Sequence, residues 1–158
     1  MRVCKRDGTY ETVSFDKVLR RITCFSSDLT VNAHEIAQKI VTRIYDGVST
    51  SELDDLTAKT CSSLIADNPD YDKLALRITV SNHHKKTSPS FSETIDILYS
   101  AKDSIIDPEL YDIVKRHKDK LNSYIDYHRD YKFDYFGFKT LERAYLFKVD
   151  DVVVERPQ

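Results

Sequence analysis

Four successive helix-start signals in the first 90 residues constrain the fold more than any other feature of the sequence. In each, a capping residue or a proline stands directly before apolar residues spaced three and four apart, the spacing that lines one face of a helix. The signals are Ser14, Asn32 with Glu35, Ser49 with Glu52, and Asn68 with Pro69. We therefore predict four helices, of which the first has Ser14 as its N-cap and the second ends at Gly47.

A short strand-forming segment precedes these helices. Residues 2–5 and 10–13 alternate around Asp7-Gly8, a dipeptide that favours a tight hairpin turn in which both central residues have positive φ. Only three glycines and four prolines occur in 158 residues, which favours helices over an all-β fold. The sequence thus predicts a mainly α protein of the α+β class that begins with a β-hairpin followed by four helices.

The character of the chain changes after Pro89. Further helical patterns occur at residues 91–98, after Asp107-Pro108 and around residues 121–125, and an aromatic-rich segment follows them. So many aromatic side chains require a large surface to bury them. We expect residues 91–158 to begin a second domain whose remainder lies outside this sequence.

Charge and cysteine content narrow the function classes. The net charge of −2 gives no overall attraction to nucleic acid or to an anionic membrane, so any anion site is local. Cys4, Cys24 and Cys61 form no C-x-x-C pair, and the five histidines show no metal-ligand spacing. The sequence has neither a signal peptide pattern nor an apolar run long enough to span a membrane. We expect a cytoplasmic protein with reduced thiols and no metal site.

The segment VCKRDGTYETVSFDK carries a high density of charge. It leads into the start of the first predicted helix, where unpaired amide groups and the helix dipole favour an anion such as phosphate. Lys17 lies in the first turn, where a cation is unfavourable unless an anion lies beside it. Lys5 and Arg6 arrive from the first strand, although neighbours on a strand point to opposite faces. The alternative interpretation is a charged hairpin surface without a ligand.

Thr50 and Asp54 lie one turn apart on the third predicted helix and share a face. A hydroxyl and a carboxylate in this arrangement can bind a ribose or an adenine amino group, although most such pairs are solvated surface. At the end of the fourth helix, the segment SNHHKKT places cationic side chains where they complement the helix dipole.

Six segments together resemble the large-subunit family of class I ribonucleotide reductases, of the eukaryotic or viral type. In chain order they are VCKRDGTYETVSFDK, GVSTSELDDL, NPDY, RITVSNHHKKT, YFGFKTLERAYL and ERPQ. The resemblance implies that residues 1–90 form an ATP-cone, a hairpin lid over a four-helix bundle. Such a domain binds ATP or dATP, with Mg²⁺, as an allosteric effector.

The resemblance also implies which residues bind the nucleotide. They are Lys5, Arg6, Glu11, Thr12, Val13, Ser14, Phe15, Asp16, Lys17, Thr50, Asp54 and Lys85. The cations among them, Lys5, Arg6, Lys17 and Lys85, would face the phosphates. Glu11 through Ser14 would frame the base and sugar, and Thr50 with Asp54 would sense base and ribose.

Residues 91–158 would be a helical connector and the start of a catalytic α/β barrel. In the full-length enzyme, that barrel reduces ribonucleoside diphosphates to deoxyribonucleoside diphosphates for DNA synthesis through a cysteine radical. The three cysteines here match none of the catalytic thiols, so this segment alone would be non-catalytic. The implied partners are nucleotides, further copies of the chain through the cone, and the small radical-generating subunit, with no nucleic acid and no membrane.

Two alternatives to a working cone stay open. A degenerate cone that has lost nucleotide binding would serve only as an oligomerisation or interaction module. A nucleotide-responsive transcription repressor also uses a cone, but such a protein carries a cysteine zinc ribbon ahead of the hairpin. An independent enzyme is disfavoured, because the sequence shows no arrangement of nucleophile, base and orienting group.

Overall fold

Three short strands form a sheet at the N-terminus. In the computed structural model, which describes residues 1–158, β1 (Arg2–Cys4) pairs antiparallel with β2 (Tyr10–Thr12) and parallel with β3 (Val48–Ser49). Two of the apolar residues, Val3 and Val48, lie side by side in the register of β1 and β3 and are both buried. The sequence did not predict β3, since two residues are too few to show an alternating pattern. The predicted hairpin is therefore part of a three-stranded sheet.

The predicted type of turn between β1 and β2 was wrong. Gly8 has a φ of 81°, but Asp7 does not have positive φ. The Lys5 amide donates to the Thr9 carbonyl at 2.8 Å, so the loop runs from Lys5 to Thr9 rather than over two residues. Asp7 explains the difference, because its carboxylate accepts hydrogen bonds from both the amide and the hydroxyl of Thr9.

Residues 15–84 contain the four predicted helices. They are α1 (Phe15–Ser26), α2 (Ala33–Val41), α3 (Thr50–Ser62) and α4 (Asp70–His84). The capping box of Ser49 and Glu52 is present with both of its hydrogen bonds, and Asn32 accepts from the Glu35 amide at 3.1 Å. Ser14 occupies the N-cap position of α1 without a side-chain capping bond. The local sequence signals therefore locate all four helix starts.

The end of α2 was predicted wrongly, since the helix stops at Val41 rather than at Gly47. The Thr42 hydroxyl bonds to the carbonyl of Lys39, and the Arg43 amide bonds to the carbonyl of Ile40 at 2.9 Å, which tightens the last turn. Ile44 continues the apolar pattern from the turn beyond, where it remains buried. Helical spacing alone could not distinguish this turn from further helix.

The apolar faces of the helices form the core of the first compact unit, residues 1–82. Helix α2 packs against α1 and α3. Five of the largest core side chains are fully buried: Ile22, Ile36, Ile40, Leu74 and Ile78. Each side chain of this kind contributes roughly 1.5–3 kcal/mol through its removal from water. The core thus fixes the helices that carry the polar residues described below.

The second compact unit comprises residues 83–158 and contains four more helices. In order, its elements are α5 (Phe91–Ser100), α6 (Pro108–Arg116), α7 (Lys118–Tyr124), a 3₁₀ helix (Tyr127–Lys132), α8 (Tyr135–Ala144), β4 (Lys148–Val149) and β5 (Val152–Val153). The eight α-helices with short sheets confirm the mainly α, α+β class. The predicted domain boundary at residue 90 stays a prediction.

No helix combines the length and the apolar character that crossing a membrane requires.

Phe138 on α8 lies at the centre of the second unit and is fully buried. The ring of His83 meets the Phe138 ring edge-on, with 5.3 Å between centroids. The two ring nitrogens of His83 lie 3.3 Å from the carboxylate of Glu142 and 2.9 Å from the carbonyl of Glu155. A buried polar network therefore joins α8 to the chain after β5.

Glu142 makes this unit sensitive to acid. Burial raises the pKa of its carboxyl, but hydrogen bonds from His83 and Lys139 outweigh that effect and lower the pKa from 4.5 to about 2. Ionised Glu142 therefore stabilises the folded state above pH 4.5, and this contribution is lost as the pH falls towards 2. We predict that Glu142→Gln flattens the pH dependence of the unfolding free energy in this window, measured by urea unfolding.

The matched control for that experiment is Glu109→Gln, which removes an exposed carboxylate from α6. It should leave the slope of unfolding free energy against pH as it is in the wild type. An unchanged slope in Glu142→Gln would contradict the assignment.

Candidate functional site

Two ion clusters adjoin the N-terminal sheet, and the first is formed by Lys5, Glu11 and Lys17. Glu11 on β2 accepts from the Lys5 ammonium group at 2.9 Å and also pairs with Lys17 in the first turn of α1. All three side chains are at least one-third exposed. Two cations share one carboxylate, so this lysine cluster carries one excess positive charge. Such a cluster attracts a further anion, and it lies beside the N-terminal amides of α1.

The second cluster is centred on Asp54, whose carboxylate is only 6% exposed. Arg21 on α1 binds it with two bonds, from Nε to Oδ1 at 3.2 Å and from Nη2 to Oδ2 at 3.1 Å. Arg6 adds one bond to Oδ2 at 3.3 Å. We call this group, with the neutral side chains that complete it, the arginine cluster. The Asp54 carboxylate is stable at such burial because it is paired with two guanidinium groups that donate hydrogen bonds to both of its oxygens.

Neutral polar side chains complete the arginine cluster. Arg6 donates to the Thr50 hydroxyl at 3.3 Å and to the side-chain oxygen of Asn82 at 2.6 Å. Arg21 donates to the Ser81 hydroxyl at 3.0 Å. The cluster thereby joins the hairpin loop to α1, α3 and α4.

A second carboxylate lies one hydrogen bond further away. The side-chain amide of Asn82 donates to Asp55 at 3.1 Å and to the Ser51 carbonyl at 3.2 Å. With Asp55 included, the two arginines are matched by two carboxylates. The arginine cluster is therefore close to neutral, whereas the lysine cluster keeps its excess positive charge.

The pairing of the strands explains why these residues meet. Arg6 lies two residues after the end of β1, and β3 leads directly into α3. The capping box fixes Thr50 as the first residue of α3, with Asp54 one turn later on the same face. Because β1 and β3 run parallel, both chains leave the sheet at the same end. The loop with Arg6 thus lies beside the N-terminus of α3.

Eleven of the twelve predicted nucleotide-binding residues belong to the first unit. Six of these eleven are members of one or the other ion cluster. Lys5, Glu11 and Lys17 form the lysine cluster, whereas Arg6, Thr50 and Asp54 belong to the arginine cluster. Thr12, Val13, Ser14, Phe15 and Asp16 form the end of β2 and the entry into α1, just before Lys17. Lys85 follows α4 and belongs to the second unit. The nucleotide contact of each residue stays a prediction.

Lys5 and Arg6 enter different clusters, as expected. Their predicted placement on the first strand was wrong, since β1 ends at Cys4 and both residues belong to the loop that follows it. Arg6 contacts the two residues predicted to sense base and ribose, and not the lysines with which it was predicted to face phosphates. Lys17 finds the anion that it requires at a helix start in Glu11. That ion pair by itself does not require a ligand.

Sequence reasoning missed Arg21, Ser81 and Asn82 as cluster members. Arg21 lies four residues after Lys17 on α1, so helical spacing could have placed it on the same face. A polar Asn82 within an apolar helical pattern is a weaker signal of a buried network. For Ser81 the local sequence offers no signal, since its partner Arg21 lies 60 residues away in the chain.

The cysteines form no disulfide. Burial raises the pKa of the Cys61 thiol to about 12, so this thiol is protonated at neutral pH and is a poor nucleophile. No group of three or more histidine, cysteine, aspartate or glutamate side chains is arranged to hold a metal ion.

A small sheet set against four helices carries an exposed cationic cluster beside a second cluster that holds a half-buried hydroxyl and a buried carboxylate. Residues 1–86 match the ATP cone domain, and the chain belongs to this family. Effector binding by a nucleotide is the property that this family implies.

The whole chain is similar to part of the ribonucleoside-diphosphate reductase large subunits. It is 48% identical over 172 residues to the large subunit from Dictyostelium discoideum, and the match covers 100% of this chain and 20% of that protein. It is 46% identical to the large subunit from Arabidopsis thaliana, covering 100% of this chain and 21% of the relative. It is 46% identical to large chain 2 from Saccharomyces cerevisiae, covering 100% of this chain and 19% of the relative. The chain spans about a fifth of the length of these relatives.

Proposed function

We propose that the first unit binds ATP or dATP, with Mg²⁺, as an allosteric effector. The observation that carries this proposal is the juxtaposition of the two clusters within a domain of the ATP cone family. One cluster offers exposed ammonium groups with an excess positive charge. The other offers a hydroxyl and an oriented carboxylate of the kind that hydrogen-bonds a sugar or a base.

Within this site, the nucleotide lies between the hairpin and the helices. Lys5 and Lys17, together with the N-terminal amides of α1, bind the phosphates, whose own oxygens would hold the Mg²⁺. Thr50 and Asp54 contact the sugar and base. Arg6 lies between the two regions and shares hydrogen bonds with both sugar-facing residues.

The chain is proposed to act within a ribonucleoside-diphosphate reductase large subunit in the cytoplasm. The full-length similarity to named large subunits supports this placement. The complete enzyme reduces ribonucleoside diphosphates to deoxyribonucleoside diphosphates, and residues 91–158 connect the cone to its catalytic domain. The cone contributes regulation: each effector shifts the assembly of further copies and of the small radical-generating subunit by its differential affinity for the assembled states.

One observation favours a second candidate, a degenerate cone that serves only as an interaction module. Glu11 already pairs with Lys5 and Lys17, and Asp54 already pairs with Arg6 and Arg21. In a degenerate cone, these charged side chains would only form ion pairs with one another and would contact no ligand. Such a domain would fold cooperatively and bind no nucleotide.

Calorimetric titration in magnesium buffer separates the two candidates. We predict that ATP and dATP bind and that inorganic tripolyphosphate binds more weakly, since it lacks the sugar and base. Lys17→Ala should weaken ATP and dATP binding about tenfold or more, because a hydrogen bond to a charged group contributes roughly 1.5–3 kcal/mol.

The matched control for Lys17→Ala is Lys39→Ala, which removes an ion pair with Glu35 on α2, away from both clusters. It should leave the affinities as they are in the wild type. A folded protein that binds neither nucleotide would contradict the proposal and support the degenerate cone.

A further inference from the structure

Arg21 makes more contacts with Asp54 than any other residue of the arginine cluster. It binds both carboxylate oxygens, whereas Arg6 binds only one. Its own position is fixed by the Ser81 hydroxyl at 3.0 Å and by the ring of Phe25, whose centroid lies 4.6 Å from the guanidinium carbon. A two-point contact of this kind fixes the plane of a carboxylate, which a single bond does not.

The hydrogen bonds around Asp54 leave a defined acceptor position. A carboxylate offers about four lone-pair sites, two on each oxygen. Arg21 occupies one site on each oxygen, and Arg6 occupies the second site on Oδ2. The remaining site is on Oδ1, and Asp54 lies one turn after Thr50 on α3. A donor such as a sugar hydroxyl is the group that this position accepts.

We propose that Arg21 is a positioning residue that orients Asp54 to accept a hydrogen bond from the sugar of the bound nucleotide. This inference rests on the proposed function of the first unit. ATP and dATP differ by one sugar hydroxyl, so the orientation of this carboxylate sets the ratio of their affinities. A change in the orientation of the carboxylate alters its hydrogen bond to the sugar, and hence this ratio, even where its charge is unchanged.

Helix α1 links this orientation to the phosphate end of the site. Lys17 and Arg21 lie four residues apart and therefore share a face of α1, with Cβ atoms roughly 5–6 Å apart. One rigid helix thus carries a phosphate-facing cation and the side chain that holds the sugar-facing carboxylate. A nucleotide bound at Lys17 meets Asp54 at a fixed distance along this helix.

Arg21→Lys tests the inference, because lysine keeps the charge but cannot bind both oxygens in one plane. Dissociation constants for ATP and dATP are measured by calorimetry on the full chain. We expect the ATP to dATP ratio to change by about threefold or more. Arg20→Lys, the matched control at an exposed neighbouring position on the same helix, should leave the ratio as it is in the wild type.

A double-mutant cycle asks whether Arg21 acts through Asp54. In an Asp54→Asn background, Arg21→Lys should produce no further change in the ratio, since the carboxylate that it orients is gone. If Arg21 instead contacted a phosphate directly, Arg21→Lys would weaken ATP and dATP equally and would leave their ratio unchanged. That result overturns the inference.

The outcomes also separate this inference from the proposed function. A wild-type chain that binds neither nucleotide contradicts the proposed function itself, whereas a chain that binds both with a ratio insensitive to Arg21→Lys overturns only the role of Arg21. Thermal unfolding of each variant checks its fold. Should Arg21→Lys not fold, Phe25→Leu removes the ring beneath the guanidinium and is expected to change the ratio, and an unchanged ratio in folded Phe25→Leu would overturn the inference.

Discussion

Asp54→Asn is expected to weaken, without abolishing, the stabilisation that dATP gives this protein and to lower its free energy of unfolding by about 2 kcal/mol. The substitution keeps the shape of the side chain but removes the charge that pairs with Arg6 and Arg21. Losing one partner of a buried ion pair costs roughly 3–5 kcal/mol. The effect here is smaller because the two arginine side chains are about one-third exposed.

Urea unfolding with and without dATP measures both effects of Asp54→Asn. The matched control is Asp67→Asn, which changes an exposed aspartate beyond the end of α3. It should alter the unfolding free energy by no more than about 0.5 kcal/mol and leave the dATP response intact. Wild-type stability together with a wild-type dATP response in Asp54→Asn would show that the arginine cluster has neither of its assigned roles.

Phe138→Ala is expected to destabilise the second unit by about 4 kcal/mol, within the range of roughly 3–5 kcal/mol for a fully buried phenylalanine. The change removes a ring with 0% exposure and leaves a cavity beside His83 and Phe133. Unfolding in urea, followed by circular dichroism, reports the loss. The affected signal should be that of the helices between residues 91 and 144.

The matched control for Phe138→Ala is Phe136→Ala on the same helix, α8. Phe136 lies two residues earlier and is 63% exposed, so the expected loss is about 0.5 kcal/mol or less. Comparable losses for the two variants would mean that the burial of Phe138 does not organise this unit.

The first unit was largely predictable because its helix starts are encoded locally. Capping residues such as Ser49 and Asn32 act within three residues, and the apolar spacing that follows them is equally local. The end of α2 was not predictable, since Ile44 keeps the apolar pattern after the helix has stopped. The pairing of β3 with β1 depends on residues more than 40 positions apart, and two residues of strand carry no pattern of their own.

The residues of the candidate site were likewise predictable in part. The resemblance to the reductase family supplied Lys5, Lys17 and Asp54, and the structure brings each of them into an ion cluster. It did not supply Arg21, whose partner Asp54 is 33 residues away in the chain. Residues that act through a neighbour, rather than on a ligand, become visible only when the fold joins their helices.

The two clusters differ in exposure and in net charge, and these differences suggest different roles in binding. The lysine cluster is exposed and carries excess positive charge, so salt should weaken its contribution to binding. The arginine cluster is centred on a buried carboxylate and is nearly neutral, and its geometry, not its net charge, limits what it can accept. Under the proposed function, affinity would come mainly from the first cluster and discrimination between sugars from the second.

Thermal unfolding of the wild-type chain with dATP in magnesium buffer tests the central claim, nucleotide binding by the first unit, most directly. At about 100 times its dissociation constant, dATP should stabilise the folded state by roughly 2.7 kcal/mol. For a unit of this size, that stabilisation raises the melting temperature by about 10 °C or more. A cooperative transition whose midpoint is the same with and without dATP would contradict the account.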